Sequence, residues 1–238
     1  MDFERFDRAS ALYDLGRAQD ALREFEALAE QASSEDDRCL ALLYKANCLE
    51  DLGRVSEARQ FWLQATAIRT SPYSEVLDAS LCIAEGKPEE ALKKLKNFLI
   101  DHVDLQSASE WNAYSGAQNE LGRLLFNMER YREAVGPLEG ALASTRAGQR
   151  WQICFYLGVC HLFNGKLEEA EAKLIESLPA NRSDPWWVQA QYYLGCVYFK
   201  QGSYLKARWS FEASLSFIDD SDTDFKEKVL SWLGKIPL

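Results

Sequence analysis

Residues able to do chemistry are few in this chain, and their spacing argues against catalysis. Two histidines occur, His102 and His161. His102 stands in a presumed loop beside Asp101 and Asp104, a set too short and too common to count as a metal site. His161 falls late in a stretch of helical periodicity, where a packed or hydrogen-bonded ring is the expected role. The six cysteines (Cys39, Cys48, Cys82, Cys154, Cys160 and Cys196) include no Cys-x-x-Cys pair, so structural zinc is not expected. They read as buried, reduced thiols on apolar helix faces. Paired acids such as Glu89-Glu90 and Glu168-Glu169 recur at helix starts, where they complement the positive end of the helix dipole. No Gly-x-Ser-x-Gly elbow, phosphate-binding loop or His-Glu-x-x-His occurs. The expectation is a non-enzyme with no cofactor and no metal. One pair points to binding instead. Asn119 and Arg123, one helical turn apart, could hold a carbonyl or carboxylate between them, and a solvated pair is the equal alternative.

The elements that carry these residues follow from a five-residue step that recurs six times, a loop-forming residue and then alanine. It runs Gly16 to Ala21, Gly53 to Ala58, Gly86 to Ala91, Glu129 to Ala134, Gly165 to Ala170 and Gly202 to Ala207, at intervals of 37, 33, 43, 36 and 37 residues. Self-similarity at that period means stacked supersecondary units. In the stretch from Trp151 to Leu178, Ile153, Cys154, Leu157, Cys160 and Leu162 keep helical spacing, and Asn164-Gly165 stops the helix. Leu167, Ala170, Leu174, Ile175 and Leu178 then mark a second helix, which Pro179 ends. Each unit is thus a helical hairpin.

Seven residues before each loop position stands a small residue: Ala9, Ala46, Ala79, Gly122, Gly158 and Gly195. Nine residues after it stands a bulky plug: Phe25, Trp62, Leu95, Leu138, Leu174 and Phe211. A small position facing a large one allows two helices to cross closely. The segment from Gln106 to Ala113 lengthens the third interval and is expected to extend the next first helix upstream through Trp111. If it does more than lengthen the helix, Trp111 and Tyr114 supply an exposed aromatic contact. A last helix over 223–235 reads as a cap.

This spacing resembles the tetratricopeptide repeat. Its leucine-glycine pair stands here as Leu121-Gly122, Leu157-Gly158 and Leu194-Gly195, and its turn and downstream alanine as Gly202-Ser203-Tyr204-Leu205-Lys206-Ala207. The first three units carry alanine in place of that glycine. The resemblance implies an all-α fold, a right-handed α-solenoid of stacked antiparallel hairpins, forming one domain over 1–238. The hairpins fall at about 2–34, 35–70, 72–104, 108–147, 149–180 and 184–219.

The resemblance also implies that first helices line a concave groove for a peptide or helix of a partner protein. Carried over by distance from each loop position, the lining comprises Phe6, Tyr13, Leu43, Asn47, Val76 and Asn119 in the first part of the chain. Arg123, Phe126, Phe155, Val159, Tyr192 and Phe199 continue it. Only Asn47 matches the lysine, arginine and asparagine set with which chaperone-binding members grip a C-terminal carboxylate, so that mode is not expected. A mostly apolar stripe suits an amphipathic helix or an apolar segment. It could equally accept the chain's own last helix or a second copy, or be inter-helix core.

Composition narrows the partners. A net charge of −10 argues against nucleic acid or an anionic membrane as the main partner. No run of eighteen apolar residues suggests a membrane span, and Met1-Asp2-Phe3-Glu4-Arg5 lacks the order of a secretory signal, so a cytoplasmic location is expected. The functional expectation is a protein-interaction scaffold. A homo-oligomeric structural protein and a chaperone-like regulatory subunit for a single client are the alternatives.

Overall fold

The computed structural model describes residues 2–14, 16–68, 72–105, 108–144, 150–179, 185–218 and 222–237. Among these residues there are thirteen helices and no strand. They divide into two compact units, Met1–Leu124 and Leu125–Leu238. In the first unit, α1 (Phe3–Asp14) pairs with α2 (Ala18–Glu30), α3 (Glu35–Asp51) with α4 (Val55–Thr66), and α5 (Pro72–Ala84) with α6 (Pro88–Asp101). The twenty-residue α7 (Ala108–Asn127) begins in this unit. It joins α5 through a hydrogen bond between Asn112 and the phenol of Tyr73. The upstream extension through Trp111 is therefore present, while Gln106 and Ser107 lie outside the described residues.

In the second unit, α8 (Tyr131–Ser144) packs on α9 (Arg150–Phe163), which pairs with α10 (Leu167–Glu176). There α11 (Pro185–Lys200) pairs with α12 (Tyr204–Leu215), and α13 (Thr223–Leu233) follows on α12.

The hairpins turn the same way because the chain does the same thing at each step. All six loop positions have positive φ, five of them glycine and the sixth Glu129 at 59°. The N–H after each loop position donates to the carbonyl five residues upstream, as Arg17 does to Leu12, Arg130 to Leu125 and Ser203 to Tyr198. That bond closes the first helix while the left-handed residue turns the chain into the second. Glycine tolerates the turn without strain, whereas Glu129 carries a Cβ that the left-handed region disfavours.

The crossing points follow the small–large pattern. Ala9, Ala46, Ala79, Gly158 and Gly195 are buried, as are Phe25, Trp62, Leu95, Leu138, Leu174 and Phe211. A Cβ built on Gly195 would stand 2.6 Å from the Phe211 ring, and one on Gly158 would stand 2.6 Å from Cγ of Leu174. The plugs therefore rest directly on glycine backbone. The helices also bond across the crossing, since the Ser214 hydroxyl donates to the Val188 carbonyl at 2.9 Å.

None of the six cysteines is in a disulfide, and all are buried on first helices. Burial pushes the thiols of Cys48, Cys160 and Cys196 up to about 12. His102 stands in the turn that follows α6. It caps the C-terminus of α6, stacks on Phe98 at 4.2 Å, and places Nδ1 3.0 Å from the Phe98 carbonyl oxygen. Its nearest carboxylate is Glu75, at 3.9 Å, and not a neighbour in sequence. The helix ends at Asp101 and His102 opens the turn after it, so the loop placement holds while its sequence-neighbouring aspartates are not its partners. His161 is a core residue, 5% exposed, with Nδ1 unpartnered.

Candidate functional site

In the first unit, the first-helix stripe is partly exposed. Phe6, Tyr13, Leu43 and Asn47 are half-buried, Val76 is buried, and Asn119 is half-buried on α7. Two of these side chains are held by aromatic packing that sequence spacing did not anticipate. Phe6 and Tyr13 meet Tyr44 of α3 edge-on, at 5.3 and 6.3 Å between centroids, and Tyr44 stacks on Phe25 at 4.9 Å. Burial raises the Tyr13 phenol well above its ordinary value, and the Asp51 charge and its hydrogen bond add to the shift. Asn47 is already engaged, because its Oδ1 lies 3.4 Å from the Trp62 indole nitrogen, which donates to it. The one residue matching the carboxylate-gripping set is thus spent on holding a plug.

A polar patch breaks this apolar face. Arg123 donates to Glu120 at 3.1 Å, one turn earlier on α7. Glu50, at the end of α3, is held above the usual carboxylate range by burial and by Asp51, with Arg123 opposing the shift. Two polar atoms on the stripe are buried without a hydrogen-bond partner, Ser10 Oγ and Asn119 Oδ1. Such atoms are uncommon in folded proteins, because a lost hydrogen bond costs about 1–3 kcal/mol.

The second unit treats the same stripe differently. Phe155 and Val159 are 3% and 0% exposed and belong to the core, so they offer no surface to a partner. Phe126 packs against Tyr131 and Tyr156 at 5.6 and 4.9 Å. Tyr192 and Phe199 lie under the last helix. The Trp232 indole nitrogen donates to the Tyr192 hydroxyl at 3.1 Å, and Trp232 meets Phe199 edge-on at 5.2 Å. Phe225 closes on Tyr192 at 5.2 Å. Among the alternatives the sequence left open for this face, occupation by the chain's own last helix is what Tyr192 and Phe199 display.

The residues that sequence reasoning missed stand nine before the loop position: Tyr44, Tyr156 and Tyr193. Tyr156 bridges Phe126 and Trp186, and Tyr193 meets Phe155 at 5.7 Å. Their adjacency to the ten-before position was the available signal, since neighbouring helical positions differ by only about 100° and both can lean toward the next hairpin. Trp111 on α7 is 56% exposed, and Tyr114 is half-buried. No group of three or more potential metal ligands occurs among the described residues. No helix among them is long and apolar enough to cross a membrane.

No curated protein matches the chain significantly. Solved structures of similar fold include that of pilF from Pseudomonas aeruginosa, 18% identical, with a TM-score of 0.59 over 84% of this chain and 90% of that one. YrrB, described as a TPR protein with an unusual peptide-binding site, is 16% identical with a TM-score of 0.55, covering 87% and 96%. The Cut9–Hcn1 hetero-tetramer of the APC/C gives a TM-score of 0.64 at 16% identity, over 93% of this chain but only 42% of that one. These likenesses carry the fold. The tetratricopeptide repeat model matches residues 6–75 and 119–185, more than half of the chain. Proteins of that kind are generally protein-interaction scaffolds and typically not enzymes. With its six left-handed loops, its small–large crossings and this match, the chain belongs to the tetratricopeptide repeat family.

Proposed function

We propose that the protein is a cytoplasmic interaction scaffold whose first unit binds an apolar or amphipathic segment of a partner protein along the faces of α1, α3 and α7. The observation that carries this reading is the unpartnered Asn119 Oδ1, set beside Arg123 on a half-exposed face that also bears Phe6, Tyr13 and Leu43. A peptide backbone N–H supplies the missing donor, while the apolar side chains take alternate residues of the segment. The guanidinium of Arg123 adds a charged anchor at the same turn. Confinement to the first unit is supported by the second unit's stripe, which is core at Phe155 and Val159 and covered at Tyr192 and Phe199. Six buried cysteines without a disulfide fit a reducing compartment.

A photo-crosslinking residue at Leu43, used in native lysate with mass-spectrometric identification, is expected to capture one protein through an apolar segment. Asn119→Leu is expected to abolish that adduct. Arg123→Ala is expected to weaken the identified peptide by more than about 1 kcal/mol in calorimetry. Adducts that survive Asn119→Leu, together with unchanged affinity for Arg123→Ala, would remove this face from the site.

A further inference from the structure

The second unit has a cleft of about 480 Å³ between α10 and α12, with α11 as its floor. Its lips are open to solvent and apolar apart from Lys206, which lies over the Tyr198 ring: Ile175 is 50% exposed, Leu205 87% and Trp209 61%. Exposed apolar side chains gathered around one cleft are characteristic of contact surfaces. The floor adds a second, independent feature. Gln191 and Ser210 both line the cleft, are only 3% and 1% exposed, and have Oε1 and Oγ without a hydrogen-bond partner. An apolar cleft with two unpartnered oxygens at its base calls for an apolar body that ends in an N–H donor. An indole has that form. The chain presents one at the lip of this same cleft, since the indole of Trp209 makes no hydrogen bond to the described residues and is mostly in solvent.

Donor and acceptor therefore lie on one patch, which makes the patch complementary to itself. A surface of that kind closes by a two-fold operation, each copy giving what the other lacks. We infer that this cleft is a dimer contact in which Trp209 of a second copy enters between α10 and α12 and donates its indole N–H to the carboxamide oxygen of Gln191. Leu205 and Ile175 close around the ring and exclude water, and the Ser210 hydroxyl provides a second polar partner at the base. The contact uses residues other than those proposed to bind a partner segment, so its failure leaves that reading intact.

Sedimentation velocity on the full chain, from micromolar to several hundred micromolar, tests the assignment. The expected result is a reversible monomer–dimer equilibrium. Gln191→Leu keeps the wall and removes the acceptor, and Trp209→Phe keeps the ring and removes the donor. Each is expected to raise the dissociation constant about tenfold, and the double variant about tenfold as well, because all three delete the same two symmetry-related bonds. Leu205→Glu, at a fully solvated position, is expected to abolish association with the circular dichroism melt unchanged. A monomer at every concentration overturns the proposal, including one that takes an indole-bearing peptide in the cleft. A dimer insensitive to Gln191→Leu and Trp209→Phe overturns it too.

Discussion

The cleft between α8 and α10 is built like the one between α10 and α12, with α9 as its floor where the other has α11. Aligned on their loop positions, Leu142 corresponds to Leu178 and Leu157 to Leu194, so the apolar frame repeats. Exchanges at four places change its character. Glu139 stands where the next unit has Ile175, Lys173 where it has Ser210, Arg150 where it has Trp187 and Cys154 where it has Gln191. The first cleft then satisfies itself: Arg150 donates to the Leu142 carbonyl at 3.2 Å and to Glu176 at 3.3 Å, and Lys173 reaches Glu176 at 2.7 Å. The second is left with apolar lips and unpartnered oxygens. The difference teaches that the repeat frame allows a cleft between successive second helices, while the side chains at these four places decide whether it is closed by its own charges or left for another molecule.

Breaking the frame gives the largest expected effect. Gly195→Ala forces a methyl group into the Phe211 ring and is expected to cost about 1–3 kcal/mol in a denaturation midpoint, and Gly158→Ala is expected to cost a similar amount against Leu174. Both should also weaken association, because the Gly158 crossing seats α10, one wall of the apolar cleft, and the Gly195 crossing seats its floor α11 against its other wall α12.

A smaller effect separates the two floors by pH. His161 and Tyr198 stand at equivalent places, four before their loops, and both are buried. Burial, and then Lys166, holds His161 below its ordinary value, while burial raises Tyr198 to about 12. The unfolded chain therefore binds a proton that folded His161 refuses. This stabilisation is complete above the unfolded value of about 6.5 and is lost as pH falls from there toward the folded value. Between pH 7 and 5, His161→Tyr should lose less stability than the parent chain, as read by urea titrations at both pH values.

The smallest effect on stability sharpens the exchange itself. Ile175→Glu copies the Glu139 position into the apolar cleft at a half-exposed site. It should change folding stability by less than about 0.5 kcal/mol while abolishing self-association.

Much of the frame was legible in the sequence, because it rests on local chemistry. The loop glycines announced the left-handed turns, and alignment on the step placed Glu129 among them although its side chain gives no such signal. The pairing of small residues with plugs was legible for the same reason, since both ends lie at fixed offsets from one turn. The faces between hairpins were not. Phe155 and Val159 fit the stripe by spacing, yet Trp186, Tyr156 and Tyr193 surround Phe155, and Val159 belongs to the same core. The cover over Tyr192 depends on where Trp232 lands, forty residues away. The outer cleft needed the lean of three helices at once, which periodicity within any one of them does not encode.

The buried sulfurs give the protein an internal clock. A thiol raised to about 12 is almost never a thiolate at neutral pH, and one shut inside a helix crossing meets no electrophile. Cys160 and Cys196 are therefore expected to react only when their own hairpins open. The second hairpin holds Cys39 and Cys48, the third Cys82, the fifth Cys154 and Cys160, and the sixth Cys196. Alkylation read by peptide mass spectrometry is therefore expected to rank the hairpins by how often they open, with the most stable ones left unmarked.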